Sequence, residues 1–148
     1  MKDTIRRWRK LNIYFVDLEN TSSPGLEGIN QLNKDDKVYI LYSKNANTVN
    51  IHYVKALMKA KADIEFVLIN HLGSNALDFQ LCSLLGYHIG RFRGTTLNIY
   101  IISNDKGYDC VCRGIPSILK KDLANKSIEL NISRSINIHR TVAVDKVQ

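Results

Sequence analysis

A chain of 148 residues with 45% hydrophobic content and a net charge of +7 is sized for one domain with a real core. No apolar run reaches the roughly 18 residues of a membrane span, and no secretory-type apolar segment follows the basic start "MKDTIRRWRK". Cys82, Cys110 and Cys112 are odd in number and form no Cys-x-x-Cys pair, which argues against a disulfide framework or cysteine zinc site and for a reduced, cytoplasmic setting.

The positive charge is concentrated at the two ends. Residues 1–10 carry five Lys/Arg against Asp3, and residues 111–148 carry seven against three acids, while the stretch between is slightly acidic. Basic flanks around an acidic centre suit a polyanion-binding surface around a carboxylate site. Solvated basic ends would give the same count, so charge suggests a partner without naming one.

In chain order, "NIYFV" (12–16) is a compact apolar run, as expected of a strand buried on both faces. Ser23-Pro24 predicts an N-cap and a first-turn proline, opening a short helix to about Leu32. "KVYILYS" (37–43) is a second strand, and a helix is predicted from about Thr48 to Ala60. "DIEFVLI" (63–69) is a third strand, and "SNALDFQLCSLLGYHIG" (74–90) reads as the longest helix, with His88 a helix or core residue. "TLNIYIIS" (96–103) is a fourth strand. "KGYDCVCRG" (106–114) begins a short helix that Gly114 and Pro116 are expected to end. "SIELNI" (127–132) is a last strand, after which the pattern fades.

Alternating strands and helices imply right-handed crossovers and an α/β fold with a mostly parallel sheet. In such sheets functional groups gather beyond the carboxyl ends of the strands. Asp17 follows the first strand directly, with Glu19 and Asn20 beside it, and Asp105 follows the fourth strand after Ser103 and Asn104. A strand order of 3-2-1-4-5 would bring these two acids side by side. Asp78, near the start of the long helix with Asn75 before it, would face the same crevice, and Asp109 lies four residues past Asp105.

Clustered carboxylates repel one another without a cation. Mg²⁺ and Mn²⁺ prefer such hard oxygen ligands, and there they can activate water and stabilise charge on a phosphodiester. Each acid alone has a plainer reading as a loop cap or, for Asp109, as a charge favouring a helix N-terminus. Their joint placement at one sheet edge is what favours a metal site.

"YFVDLEN", "GSNALDFQL" and "YIISNDKGYD", in this order and spacing, resemble the PIN-like nuclease superfamily, particularly its NYN-type branch. "KVYILYSKNA" is similar to the second-strand segment of such proteins, and the resemblance covers roughly residues 12–112. It implies a three-layer α/β/α sandwich of about five strands that cleaves RNA, less often DNA, with Mg²⁺ or Mn²⁺. The implied organisation is a basic leader over 1–11, a nuclease domain over 12–134 and a flexible tail over 135–148. The metal-binding and catalytic acids would be Asp17, Asp78, Asp105 and Asp109, supported by Glu19, Asn20, Asn75, Ser103 and Asn104. "DLEN" departs from the Asp-Gly-x-Asn form of the NYN branch, which leaves the role of Glu19 open, and the region after Arg113 does not match.

Substrate contacts are expected from Lys44 and Lys106, at the functional edge, and from Arg91 and Arg93, which flank Phe92 in "GRFRG". That last loop enters a strand, so it should lie opposite the acids. "RRWRK" could add charge and indole stacking, and His52, His71, His88 and His139 form no ligand pair at useful spacing. Two other functions compete. "DLE" resembles the start of haloacid-dehalogenase-type phosphatases, with Asp17 as nucleophile, although Glu19 and the short chain weigh against it. A non-catalytic module binding nucleic acid or a protein partner is the other. The open edge of the sheet also leaves room for a second copy, and so for a homodimer.

Overall fold

The computed structural model describes residues 10–70, 73, 75–92, 95–119, 121 and 128–137. The expectations for the leader over 1–9, for Arg93, His71 and His139, and for the tail over 138–148 lie outside them. The strands β1 (Lys10–Asp17), β2 (Lys37–Ser43), β3 (Asp63–Ile69), β4 (Thr96–Ile102) and β5 (Ile128–Ser133) form one sheet. Every pairing is parallel and the order is β3-β2-β1-β4-β5.

Parallel neighbours cannot be joined by hairpins, so helices carry the chain back. Between β1 and β2 lie α1 (Leu18–Thr21) and two 3-10 turns, Ser23–Leu26 and Ile29–Gln31. The other connections hold α2 (Ile51–Lys59), α3 (Ala76–Arg91) and α4 (Asp109–Leu119). The fold is an α/β sandwich with a cluster of buried side chains on each face of the sheet.

The two-residue period of β1 explains the layering. Ile13 and Phe15 point to one face, where Leu77, Leu81 and Leu85 of α3 and Cys112 of α4 cover them. Tyr14 and Val16 point to the other and meet Leu18, Leu26 and Ile29, with Leu57 of α2 packed against them. Burying each Leu or Ile of these clusters stabilises the fold by roughly 1.5–3 kcal/mol. At the sheet's edge, β3 leaves Phe66 and Leu68 exposed on one side.

Three expectations are corrected. The helix anticipated over Ser23–Leu32 is two separate 3-10 turns, because Gly28 between them adopts a left-handed φ of 96°. A Cβ there would stand 2.9 Å from the Asn137 backbone nitrogen, so the close approach itself calls for glycine. Next, α4 does not stop at Gly114 and Pro116 but continues to Leu119. Pro116 removes a helical N–H, at a cost of up to about 3 kcal/mol. Val111, Ile115 and Leu119, spaced four apart, pack together on the core and offset it. Finally, the expected tail begins in contact with the body: Ile136 is 2% exposed and its N–H donates to Gly25 O at 3.1 Å.

The starts of the two long helices also shift. The Asn50 side chain accepts from His52 N–H, so α2 begins at Ile51 rather than near Thr48. Before α3, Asn75 takes a left-handed φ of 68°, a conformation asparagine tolerates better than most residues.

Candidate functional site

The chain leaves β1 towards one face of the sheet and leaves β4 towards the other, so a crevice opens between their carboxyl ends. Asp17 is the last residue of β1, and its neighbour Val16 pairs with Ile102, the last residue of β4. Ser103, the next residue, is thereby set beside Asp17.

The Asp17 side chain is only 2% exposed and is held by donors from three segments. Its Oδ1 caps α1 by accepting from Asn20 N–H at 3.2 Å. Its Oδ2 accepts from the Ser103 hydroxyl at 3.1 Å, with the Tyr108 hydroxyl 3.4 Å away. Burial pushes the Asp17 carboxyl up to about 6, and the nearby Asp78 charge adds to this. The bonds from Ser103, Asn20 and Tyr108 act in the opposite direction.

The turn after β4 is fastened to the same point. Ser103 Oγ also accepts from Asp105 N–H at 3.0 Å, and Asn104 N–H donates to Asn20 Oδ1 at 2.7 Å. The Asp105 carboxylate accepts from Gly107 N–H at 2.8 Å, capping the 3-10 turn Lys106–Tyr108. That turn sends Tyr108 into the core, where it is 2% exposed and its hydroxyl donates to Asp78 Oδ1 at 2.9 Å. Burial, reinforced by the Asp17 charge, pushes the Tyr108 phenol far up, so it remains a proton donor.

Asp17, Asp78 and Asp105 line one open depression together with Glu19, Asn20, Asn75 and Leu77. Asp109, the first residue of α4, is half-buried and does not line it. Lys106 is exposed on the adjoining turn, and exposed Lys44 shares a smaller neighbouring hollow with Glu19. Arg91 is different. It ends α3 beside Lys10, Lys37 and Asp63, which begin β1, β2 and β3, and therefore sits at the opposite edge from the acids. A helix running antiparallel to the strands must end where the next strand begins.

Tyr108 was not among the residues singled out by sequence. Its signal is local and faint: an aromatic residue between a strand-end acid and an apolar helix, which reads equally well as core.

The segment from β1 through α4 carries both the strand order and the acids, and a family model described as PIN domain matches residues 11–116. The chain belongs to the PIN domain family. No curated protein and no solved structure gives a significant match. PIN domains are usually nucleases and generally use divalent metals, and the family points to interaction with nucleic acid.

In this PIN domain, among the described residues, no group of three or more His, Cys, Asp or Glu side chains is arranged to hold a metal ion. The Tyr108 hydroxyl lies between Asp17 and Asp78 instead. The donor chemistry nonetheless fits a hard divalent cation, which commonly takes one or two carboxylates and completes its shell with water. The raised proton affinity of Asp17 has the same origin, since a buried carboxylate beside another acid favours any positive partner. Among the described residues, no helix is long and apolar enough to cross a membrane.

Proposed function

We propose that this PIN domain is a divalent-metal-dependent nuclease that hydrolyses phosphodiester bonds, in RNA in preference to DNA. One observation carries the reading: the buried Asp17 shares its crevice with Asp78 and Asp105 at the point where the sheet's winding reverses. Asp17, Asp78 and Asp105 would hold Mg²⁺ or Mn²⁺. When bound, such an ion supplies Lewis acidity and a lowered water pKa at the phosphodiester.

The chain's own residues set the stage for that chemistry. Ser103 and Tyr108 orient the Asp17 and Asp78 carboxylates through the bonds described above. Asn20 and Asn104 tie the two strand-end turns together, which keeps Asp105 in register with Asp17. Lys106 and Lys44, both exposed beside the crevice, are the assigned phosphate contacts, and Glu19 and Asn75 line its polar rim. Asp109 serves the start of α4, where a negative charge is favourable, and the proposal rests on the other three acids. The free cysteines Cys82, Cys110 and Cys112 agree with a reduced, cytoplasmic setting.

The test is cleavage of labelled single-stranded RNA and DNA by the purified protein with and without Mn²⁺. Asp17→Asn and Asp105→Asn, each checked for folding by circular dichroism, should lose metal-dependent cleavage. Unchanged cleavage by both variants refutes the assignment. The net charge of +7, concentrated in the flanking segments, favours a second reading, a binding module without catalysis. That reading requires salt-sensitive RNA binding by the wild type with no cleavage under any divalent ion.

A further inference from the structure

The motif "GRFRG" has no role at the carboxylates, because Arg91 and Phe92 lie at the other end of the strands. There they line a cavity of about 370 Å³, a size suited to a small organic ligand. Lys10, Lys37 and Thr95 place it at the amino ends of β1, β2 and β4. With about 3.3 Å per strand residue, that is roughly 20–25 Å from the Asp17 end of the sheet.

Four cations line the cavity, Lys10, Lys34, Lys37 and Arg91. Lys10, Lys34 and Arg91 are all exposed there, and among the described residues none of them forms an ion pair. The carboxylates of the lining are largely engaged elsewhere. Asp63 pairs with Lys37 at 3.1 Å, and the buried Asp36 accepts from Asn12 Nδ2 and Asn33 N–H. With Asp35 also in the lining, four cations stand against three acids, and the net positive charge suits an anion.

The inner wall is aromatic. Tyr39, His88 and Phe92 line it, with Phe92 stacked on His88 at 8° and a centroid separation of 5.7 Å. The Tyr39 hydroxyl lies 2.7 Å from His88 Nε2. In the tautomer whose Nε2 accepts the phenol proton, Nδ1 carries the ring hydrogen; in the other, Nδ1 is an acceptor. His88 is 3% exposed, and its Nδ1 is buried without a hydrogen-bond partner. A buried donor or acceptor left unpaired is costly, and a complementary group from a ligand would relieve it.

Cations, aromatic rings and an unpaired ring nitrogen around one cavity match the parts of one molecule. We propose that this cavity binds a nucleotide, its phosphate at Lys10, Lys34 and Arg91 and its base against Tyr39 and His88. The nucleotide is either free or the end of a nucleic-acid strand. The inference does not depend on the nuclease reading, since no residue is shared between the two sites.

Isothermal titration of the full chain with AMP, GMP, inorganic phosphate and a 5′-phosphorylated trinucleotide, at low salt and without divalent ions, tests it. A nucleotide should bind saturably and more tightly than phosphate. Lys34→Ala and Arg91→Ala, both at exposed positions, should each weaken it about tenfold. Lys55→Ala, an exposed change on α2 that lines neither site, should bind as the wild type does. Tighter binding of the trinucleotide than of either mononucleotide identifies a strand end, and the reverse identifies a free nucleotide. Absence of saturable nucleotide binding, wild-type affinity in both the Lys34→Ala and Arg91→Ala variants, or loss of binding in Lys55→Ala overturns the proposal.

Discussion

Ser103 Oγ, just past the end of β4, donates to Asp17 Oδ2, at the end of β1, across 3.1 Å and 86 positions of sequence. The same oxygen accepts the Asp105 N–H, so one small side chain sets both strand-end acids. A methyl group in its place would leave a buried carboxylate oxygen and a backbone N–H without that partner.

Ser103→Ala is therefore expected to destabilise the protein by about 1–3 kcal/mol, measured by urea denaturation. It should also raise the Asp17 carboxyl above its present value of about 6, because the Ser103 bond lowers it. An NMR titration of the Asp17 side-chain carbon reads this directly. A titration midpoint at or below that of the wild type would contradict the role given to Ser103.

Asp17→Asn should have the opposite sign in the absence of divalent ions. The folded Asp17 carboxyl is raised from an ordinary 3.8 to about 6, so the folded state binds this proton more tightly than the unfolded chain. Wild-type stability accordingly falls as pH rises from about 4 to about 6 and stays lower above that. Asparagine carries no such charge. The variant should be the more stable protein at pH 7.5, by about 1–3 kcal/mol, with the advantage vanishing by about pH 4. Thermal melts across this range, with EDTA present, supply the comparison.

Addition of Mn²⁺ should reverse that advantage by neutralising the carboxylates. Saturating Mn²⁺ at about 100 times its dissociation constant should stabilise the wild type by about 2.7 kcal/mol at pH 7.5. Protons compete for Asp17, so the gain should shrink as pH falls through about 6. Asp17→Asn should show little gain at any pH. Melting temperatures with Mn²⁺ and with EDTA, measured for both proteins, decide it.

Gly28→Ala is expected to weaken the fold at a position that lines neither site. The left-handed φ of 96° and the Asn137 backbone, 2.9 Å from where the alanine methyl carbon would stand, leave no relaxed place for a side chain. A loss of about 1–3 kcal/mol is expected in chemical denaturation. The proposed metal-dependent cleavage, per folded molecule, should not change.

The sequence alone determined the elements whose chemistry is local. Apolar runs rich in β-branched and aromatic residues and bounded by polar ones marked Lys37–Ser43 and Asp63–Ile69 to the residue, because that composition favours a strand in the sheet's interior, as in β2, and at its edge, as in β3. Alternation of strands and helices announced the parallel sheet, and an order of 3-2-1-4-5, which the sheet has, was the condition for Asp17 to meet Asp105. Turn and helix ends were less legible. Gly114 and Pro116 look like a stop, yet the apolar stripe of α4 packs on the core and carries the helix through them.

Only the tertiary structure decided which side chains touch. Nothing about the spacing of Asp78 and Tyr108 reveals a 2.9 Å hydrogen bond, because that distance depends on how α3 and the turn after β4 pack over the same sheet face. The same packing puts Asp78 with Asp17 and leaves Asp109 outside the depression. It also carries Arg91 to the opposite edge, since a crossover helix returns the chain to where strands begin. Residue type and order specify the strands and the acids at their ends; long-range packing specifies the distances between them, and chemistry depends on those distances.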